Sequence, residues 1–189
     1  KSLITKGYAY VTDDGSVFFK ISSFSNYGAL TNINISQMKQ SDRVLSDEYG
    51  LDNLQDFALW KAYKKEDGDI SWSSPWGMGR PGWHIECSVM SFENLGQHFD
   101  IHGGGMDLKF PHHDCEISQA RGLGKAFANY WMHNNMLTID GHKMSKSTGN
   151  FVTLIDVFGQ YDPLTVRYFI AASHYRSVVD YSESALKAT

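Results

Sequence analysis

Apolar residues change their spacing repeatedly after Gly82, and this alternation constrains the fold more than any other feature of the sequence. Residues 84–95 have the spacing of an amphipathic helix, and residues 99–102 form a short segment typical of a strand. A second helix is predicted over 111–121 and a second strand over 131–137. Such alternation favours an α/β fold in which helices cover a parallel sheet and ligands bind beyond the carboxyl ends of strands.

The two predicted helices carry further signals. The first places four apolar side chains on one side, which we expect to face the core. Pro111 suits the first turn of the second helix because no amide donor is needed there, while Gly122 and Gly124 are stop signals. The four apolar residues of the first helix are Ile85, Val89, Met90 and Phe92.

The N-terminal region is more irregular. Segments 8–11 and 17–21 flank Asp13-Asp14-Gly15, which predicts a β-hairpin. A short apolar segment follows at 56–62, and residues 71–77 form a turn-rich stretch with aromatic anchors.

Helices are predicted again near the end of the chain, over 154–158 and 163–172, and they begin a further substructure. These changes of pattern divide the chain into three regions, 1–79, 80–150 and 151–189.

The strongest candidate for phosphate binding is a short loop bordered by glycines. It reads Lys143-Met144-Ser145-Lys146-Ser147 and lies between Gly141 and Gly149. Its two ammonium groups suit the charge of a polyphosphate, and the flanking glycines would let the backbone close over one. The alternative is a solvated basic turn, which is common on protein surfaces.

A run of glycines follows the first predicted strand. Gly103, Gly104 and Gly105 would let the backbone approach a nucleotide closely, and Asp107 could accept hydrogen bonds from ribose hydroxyls. An ordinary tight turn is the alternative.

Three residues have the chemistry of a metal site. His112 and Glu116 are four apart and would share a helical face, and Cys87 from the preceding helix could complete the set. Thiolate, imidazole and carboxylate together suit zinc. The alternative is a pair of surface histidines and a buried apolar cysteine. We expect no disulfide between Cys87 and Cys115, because each lies in a polar, histidine-rich context.

Composition excludes some classes of protein. The 189 residues are 42% hydrophobic, enough to bury a core, and no apolar run approaches the length of a membrane span. We therefore expect a cytoplasmic protein. The net charge of -4 gives no global attraction to nucleic acid, so any RNA contact would need a local basic patch.

Together the lysine loop, the segment from Phe99 to Asp107 and the segment from Pro111 to Glu116 resemble the second half of the catalytic domain of class I aminoacyl-tRNA synthetases. The sequence Gly79-Arg80-Pro81-Gly82-Trp83-His84-Ile85-Glu86-Cys87 narrows the resemblance to cysteinyl-tRNA synthetases. The resemblance runs from about Gly7 to the C-terminus.

The resemblance implies the second half of a Rossmann-like, parallel-sheet nucleotide-binding domain at 80–150. Residues 1–79 would be a mixed α+β connective peptide inserted between the halves, and 151–189 the start of a helical stem-contact region. An upstream His-x-Gly-His motif of the family is not found in the sequence, so we expect this chain to be inactive alone.

The resemblance also implies roles for individual residues. Cys87, His112 and Glu116 match zinc ligands, which an upstream cysteine joins as the fourth. Trp83 would wall the amino-acid pocket, and His102 would hydrogen-bond the substrate or adenylate. Lys143 and Lys146 would be catalytic. The residues implied in ATP binding are Gly103, Gly104, Gly105, Asp107, Met144, Ser145, Lys146 and Ser147.

The implied activity is that of a cysteine–tRNA ligase. Such an enzyme condenses L-cysteine with ATP to an adenylate and then transfers cysteine to tRNA(Cys), with one zinc ion per chain, Mg²⁺ accompanying ATP, and a monomeric state. Two alternatives stay open. One is a cysteine ligase of mycothiol biosynthesis, which transfers cysteine to an amino sugar, and the other is a non-catalytic, zinc-stabilised RNA-binding module.

Overall fold

The computed structural model describes residues 1–33, 56–144 and 149–189. They form two compact units, one of residues 1–102 and 108–130 and the other of residues 103–107 and 131–189. No helix within the described ranges is long and apolar enough to cross a membrane.

The first unit is built on a five-stranded sheet in the order β1-β2-β3-β5-β4, with every neighbouring pair antiparallel. A short helix, α1 (Ser2–Thr5), precedes it. The strands are β1 (Ala9–Val11), β2 (Val17–Phe19), β3 (Phe57–Ala62), β4 (Trp72–Ser74) and β5 (Gly77–Pro81). Alternation within β2 buries Val17 and Phe19, and Phe19 stacks on Phe57 with ring centroids 4.9 Å apart.

Helices and two further strands follow this sheet. Helix α2 (Trp83–Leu95) begins where Gly82 passes so close to the carbonyl of Ala58 in β3 that a side chain would collide with it. Strands β6 (His98–Gly105) and β7 (Phe127–Asn134) pair with each other, and the division between the units falls within both. Between them, a π-helical turn (Lys109–His113) leads into α3 (Asp114–Gly122).

The core of the first unit joins the sheet to α3. Cys115 is fully buried, and its Sγ lies 3.3 Å from the hydroxyl of Tyr27. Asp114, also buried, accepts from the Thr31 hydroxyl at 2.6 Å and from the Leu30 amide at 3.2 Å. These contacts fix the start of α3 against the N-terminal region.

The second unit contains a three-stranded sheet in the order β10-β8-β9. Strand β8 (Leu137–Ile139) is antiparallel to β9 (His142–Lys143) and parallel to β10 (Val179–Tyr181). Its helices are α4 (Leu154–Phe158), α5 (Pro163–Ala172) and α6 (Glu183–Lys187). The side chains of Thr153, Asp162 and Ser182 cap these helices, and Val157, Val166 and Leu186 form their common core.

Several predicted elements are confirmed. The hairpin around Asp13-Asp14-Gly15 forms from β1 and β2. The helix predicted over 84–95 is α2, and the helices predicted over 154–158 and 163–172 have the predicted bounds.

Other predictions need correction. Val89 and Met90 are 49% and 54% exposed, because the buried residues of α2 are the polar His84 and Ser88. The three glycines lie in β6 instead of in a turn.

The second predicted helix also begins later than expected. Pro111 lies in the π-helical turn, and α3 starts at Asp114. The strand predicted over 131–137 starts earlier, at Phe127, and ends at Asn134.

Candidate metal centre and lysine loop

Helix α2 and the π-helical turn bring the candidate metal ligands together in the first unit. Cys87 lies one turn into α2 and is partly buried, whereas His112 and Glu116 are 3% and 0% exposed. Their four-residue spacing survives the change from π-helical turn to α-helix, and Nε2 of His112 lies 2.9 Å from Oε1 of Glu116.

Glu116 is approached by a second imidazole from another element. Nε2 of His102, on β6, lies 3.0 Å from Oε2 of Glu116. Both approaches have the length of an ion pair, and both carboxylate oxygens are buried. Burial works to raise the pKa of Glu116, but the nearby His102 and His112 imidazoles outweigh it and hold the pKa below its ordinary value. Imidazole nitrogens and carboxylate oxygens that converge in this way are also the kinds of atom that bind zinc.

The donor set fits zinc. One ligand atom from each of Cys87, His112 and Glu116 lies within 4.8 Å of the others. Burial raises the pKa of the Cys87 thiol, and the charges of Glu116 and Glu86 raise it further, so a nearby cation is needed to favour the thiolate that binds zinc. The structure therefore brings the three predicted ligands together.

A second histidine, not predicted from the sequence, supports His112. Nδ1 of His84 lies 2.9 Å from Nδ1 of His112, and His84 is fully buried. If Nε2 of His112 faces a metal, its Nδ1 carries the proton and donates it to His84, which fixes both tautomers. In the sequence His84 stands three residues before Cys87, within the segment from Gly79 to Cys87 that carries the resemblance, but that position assigned it no role. We call His84, His102, His112, His113 and Glu116 the buried histidine cluster.

Trp83 lies beside this cluster. Its ring centroid is 4.5 Å from that of His112 and 5.0 Å from that of His84. Because 40% of its surface is exposed, Trp83 is not a simple core residue. Its ring therefore lies partly at the surface, beside the buried imidazoles of His84 and His112.

Cys115 has a different environment from Cys87. It is in the hydrophobic core and both cysteines are free thiols, as expected. It belongs to neither of the metal-ligand groups found among the described residues.

The glycine run and the start of the lysine loop lie in the second unit. A side chain at Gly105 would meet the carboxylate of Asp107, which is exposed and would have to move. Lys143 ends β9 and is exposed, while Met144 lines an apolar pocket of about 190 Å³ between β8 and the helices α4 and α5. Ser145, Lys146 and Ser147 lie outside the described residues.

Strand β10 holds the turn that precedes the lysine loop. Oδ1 of Asp180 accepts from the Gly141 amide at 2.7 Å and from the Thr138 hydroxyl at 2.6 Å. These bonds hold the pKa of Asp180 below its ordinary value. On the far side of the loop, the Asn150 side chain donates to the carbonyl of Lys143 at 3.1 Å. Sequence reasoning missed Asp180 because it is 39 residues from Gly141.

Comparison with known proteins gives a consistent result. The family described as tRNA synthetases class I (C) catalytic domain matches residues 1–189. Proteins named cysteine–tRNA ligase from Dichelobacter nodosus and Chlamydia muridarum are 52% and 51% identical over 98% and 100% of the chain. The chain spans 40% of the length of each of these relatives.

One solved structure, from Campylobacter jejuni and named as an arginyl tRNA synthetase, is similar in fold. The match covers 98% of this chain and 32% of that protein. The TM-score is 0.52 and the sequence identity is 16%, a likeness that concerns the fold alone.

Proposed function

The chain belongs to the family of class I (C) tRNA synthetase catalytic domains, and from that premise we propose that it forms the C-terminal part of the catalytic region of a cysteine–tRNA ligase. The full-length protein would condense L-cysteine with ATP to cysteinyl-adenylate and transfer cysteine to tRNA(Cys). The observation that carries the proposal is the convergence of a thiol, an imidazole and a carboxylate at Cys87, His112 and Glu116.

A shape-selective pocket alone would separate cysteine from serine poorly, by no more than about 10²-fold for changes of this size. Zinc held by Cys87, His112 and Glu116 would bind the substrate as a thiolate, and serine offers no comparably acidic or soft donor. The role of His84 in this proposal is to fix the tautomer and orientation of His112.

Trp83 and His102 are the proposed substrate-binding residues. Trp83 is partly exposed beside the cluster, and a rigid indole there would limit the volume open to larger amino acids. His102 is also 3.0 Å from Glu116, which couples any contact it makes with the substrate to the geometry of the metal ligands.

The nucleotide contacts are proposed to come from the second unit. Gly103, Gly104 and Gly105 would expose backbone to the nucleotide and Asp107 would accept from the ribose hydroxyls. Met144, Ser145 and Ser147 would complete the loop around ATP and its Mg²⁺. Lys143 and Lys146 would stabilise the negative charge that develops on the departing pyrophosphate.

The proposal extends to the domain organisation. Residues 80–150 would be the second half of a Rossmann-like nucleotide-binding domain, 1–79 a connective-peptide region and 151–189 the start of a helical stem-contact region. The antiparallel sheet of β1 to β5 ends at Pro81, close to this proposed boundary, and its core continues into α3 through Cys115. A monomeric state stays a prediction.

Cysteine-dependent exchange of pyrophosphate into ATP by the full-length protein tests this proposal, followed by an assay of the acceptor. We expect exchange with cysteine, little with serine, and transfer of cysteine to tRNA(Cys). Transfer to an amino sugar instead of tRNA would make the protein a cysteine ligase of mycothiol biosynthesis. ATP-independent RNA binding without exchange would make it a non-catalytic module.

A further inference from the structure

The two carboxylate oxygens of Glu116 meet imidazoles from different elements. Oε1 lies 2.9 Å from Nε2 of His112, and Oε2 lies 3.0 Å from Nε2 of His102. Both oxygens are buried, so each needs a donor or a cation beside it. The imidazoles of His112 and His102 lie in those positions, and an imidazole nitrogen beside a carboxylate oxygen is also a pair of metal ligands.

His113 completes a second donor set with His102 and Glu116. It is 1% exposed, and its ring centroid lies 4.9 Å from that of His102. One ligand atom from each of His102, His113 and Glu116 lies within 4.8 Å of the others. Two imidazoles and a carboxylate are the ligands of many working zinc sites, whereas Mg²⁺ and Ca²⁺ prefer oxygen ligands.

We propose that His102, His113 and Glu116 form a second site for a divalent transition-metal ion such as zinc, adjacent to the first and bridged to it by Glu116. The inference rests on the proposed zinc site and on the proposed activation of cysteine. Ions in two-metal sites lie about 3.5–4 Å apart, a spacing that the two oxygens of one carboxylate can span. The second ion binds more weakly than the first, because it lacks a thiolate ligand and is repelled by its neighbour.

Occupancy of this second site opposes the proposed reaction. His102 is the residue assigned to contact the substrate or adenylate, and a metal ion on its imidazole removes it from that role. One zinc ion per chain therefore supports cysteine activation, while excess zinc inhibits it.

The test is a zinc titration of the metal-free full-length protein in competition with a chromophoric chelator. We expect two binding steps in the parent protein. Cys87→Ala removes the tighter step. His113→Gln removes a proposed direct ligand and weakens the second step by at least about tenfold, the smallest loss usual for residues that only support a ligand. His133→Gln, a change at a buried histidine outside both donor sets, keeps both steps.

Inhibition provides a second readout. For each protein, the rate of pyrophosphate exchange is measured with one equivalent of zinc and with a large excess. The second rate is expressed as a fraction of the first. The parent and His133→Gln lose activity in excess zinc, whereas His113→Gln resists it.

A single binding step in the parent, removed by Cys87→Ala, overturns the second site while the proposed function stands, since Oε2 of Glu116 then serves only His102. Absence of zinc binding in the parent overturns the second site and the proposed zinc centre together. If His113→Gln does not fold by circular dichroism, His102→Gln, on a different element and 16% exposed, replaces it in the titration. An undiminished second step in that variant also overturns the site.

Discussion

The buried histidine cluster and the lysine loop region differ in how far their charged groups are exposed to water. Glu116 is fully buried among imidazoles. Lys143, the first residue of the loop, and Asp180, which bonds to the turn before the loop, are exposed. Burial makes an uncompensated charge costly in the cluster, so the Glu116 carboxylate needs imidazoles or a cation beside it. The types of the surrounding ligand atoms would then decide which cation binds. Water screens the charges at the loop, so the loop contributes mainly when a ligand brings negative charge to it. Under the proposed function, the cluster would select the amino acid and the loop would accelerate the reaction.

Removal of Cys87, the proposed metal ligand beside the cluster, should have the largest effect on zinc binding. Cys87→Ala should weaken binding of the tighter zinc ion by more than about 100-fold, which exceeds the usual effect of outer-shell changes. Zinc affinity of the full-length protein measures this. Cys115→Ala is the matched control because Cys115 lies in the core away from both donor sets. Equal zinc affinity for Cys87→Ala and the parent would remove Cys87 from the site.

Removal of charge from the loop should alter a rate instead of metal binding. Lys146→Ala should slow adenylate formation by about 10²- to 10³-fold, the usual effect of deleting one preorganised group that stabilises charge in the transition state. Transfer of cysteine from preformed adenylate to tRNA should change much less, because no pyrophosphate leaves in that step. Single-turnover measurements separate the two steps. Equal losses in both would indicate a role in folding or in RNA contact.

The cluster can be perturbed more gently through His84. His84→Leu should weaken zinc binding by about 10- to 100-fold because His112 loses the acceptor that orients it. His84→Asn keeps an acceptor near the position of Nδ1 and should restore most of the affinity. Phe57→Leu controls for packing, since Phe57 contacts His84 edge-on with ring centroids 5.5 Å apart. Equal affinity for the Leu and Asn variants would leave His84 with a purely structural role.

The anchor of the loop should respond to acid. The pKa of Asp180 is depressed by hydrogen bonds from Thr138 and Gly141. A carboxylate with a depressed pKa stabilises the folded state at pH values above its unfolded pKa, and this contribution is lost as the pH falls through the folded value. The amide resonance of Gly141 should therefore titrate with a midpoint below 3.8, the ordinary pKa of Asp. Asp180→Asn should abolish that titration, and a midpoint at or above 3.8 would contradict the anchoring role.

Local patterns in the sequence predicted several of the helices and a candidate metal site, but not the contacts between distant elements. The i,i+4 spacing of His112 and Glu116 put both on one face even though the first lies in a π-helical turn. His84 was missed because apolar periodicity assigned the core side of α2 to Val89 and Met90, while the buried side is polar. A buried polar side carries no apolar pattern, so only the three-dimensional contact with His112 identifies it.

For the lysine loop, the motif could be read from the sequence, but the distant residue that anchors it could not. Lys143 to Ser147 were recognised from a short motif, but Asp180 depends on the parallel pairing of β8 with β10, which brings residues about 40 positions apart together. Pairing between distant strands leaves no local signal in one sequence. Charge and spacing therefore predicted which residues act, and the fold identified distant neighbours such as Asp180 and His84 that contact the predicted segments.

X-ray absorption at the zinc edge tests the central claim most directly, because it reports which atoms surround the metal. The full-length protein with one equivalent of zinc is measured alone, with cysteine and with serine. Zinc bound at Cys87, His112 and Glu116 predicts one additional sulfur neighbour at about 2.3 Å when cysteine is added, and no such change with serine. An unchanged sulfur count with cysteine would contradict selection of the substrate thiolate at the buried histidine cluster.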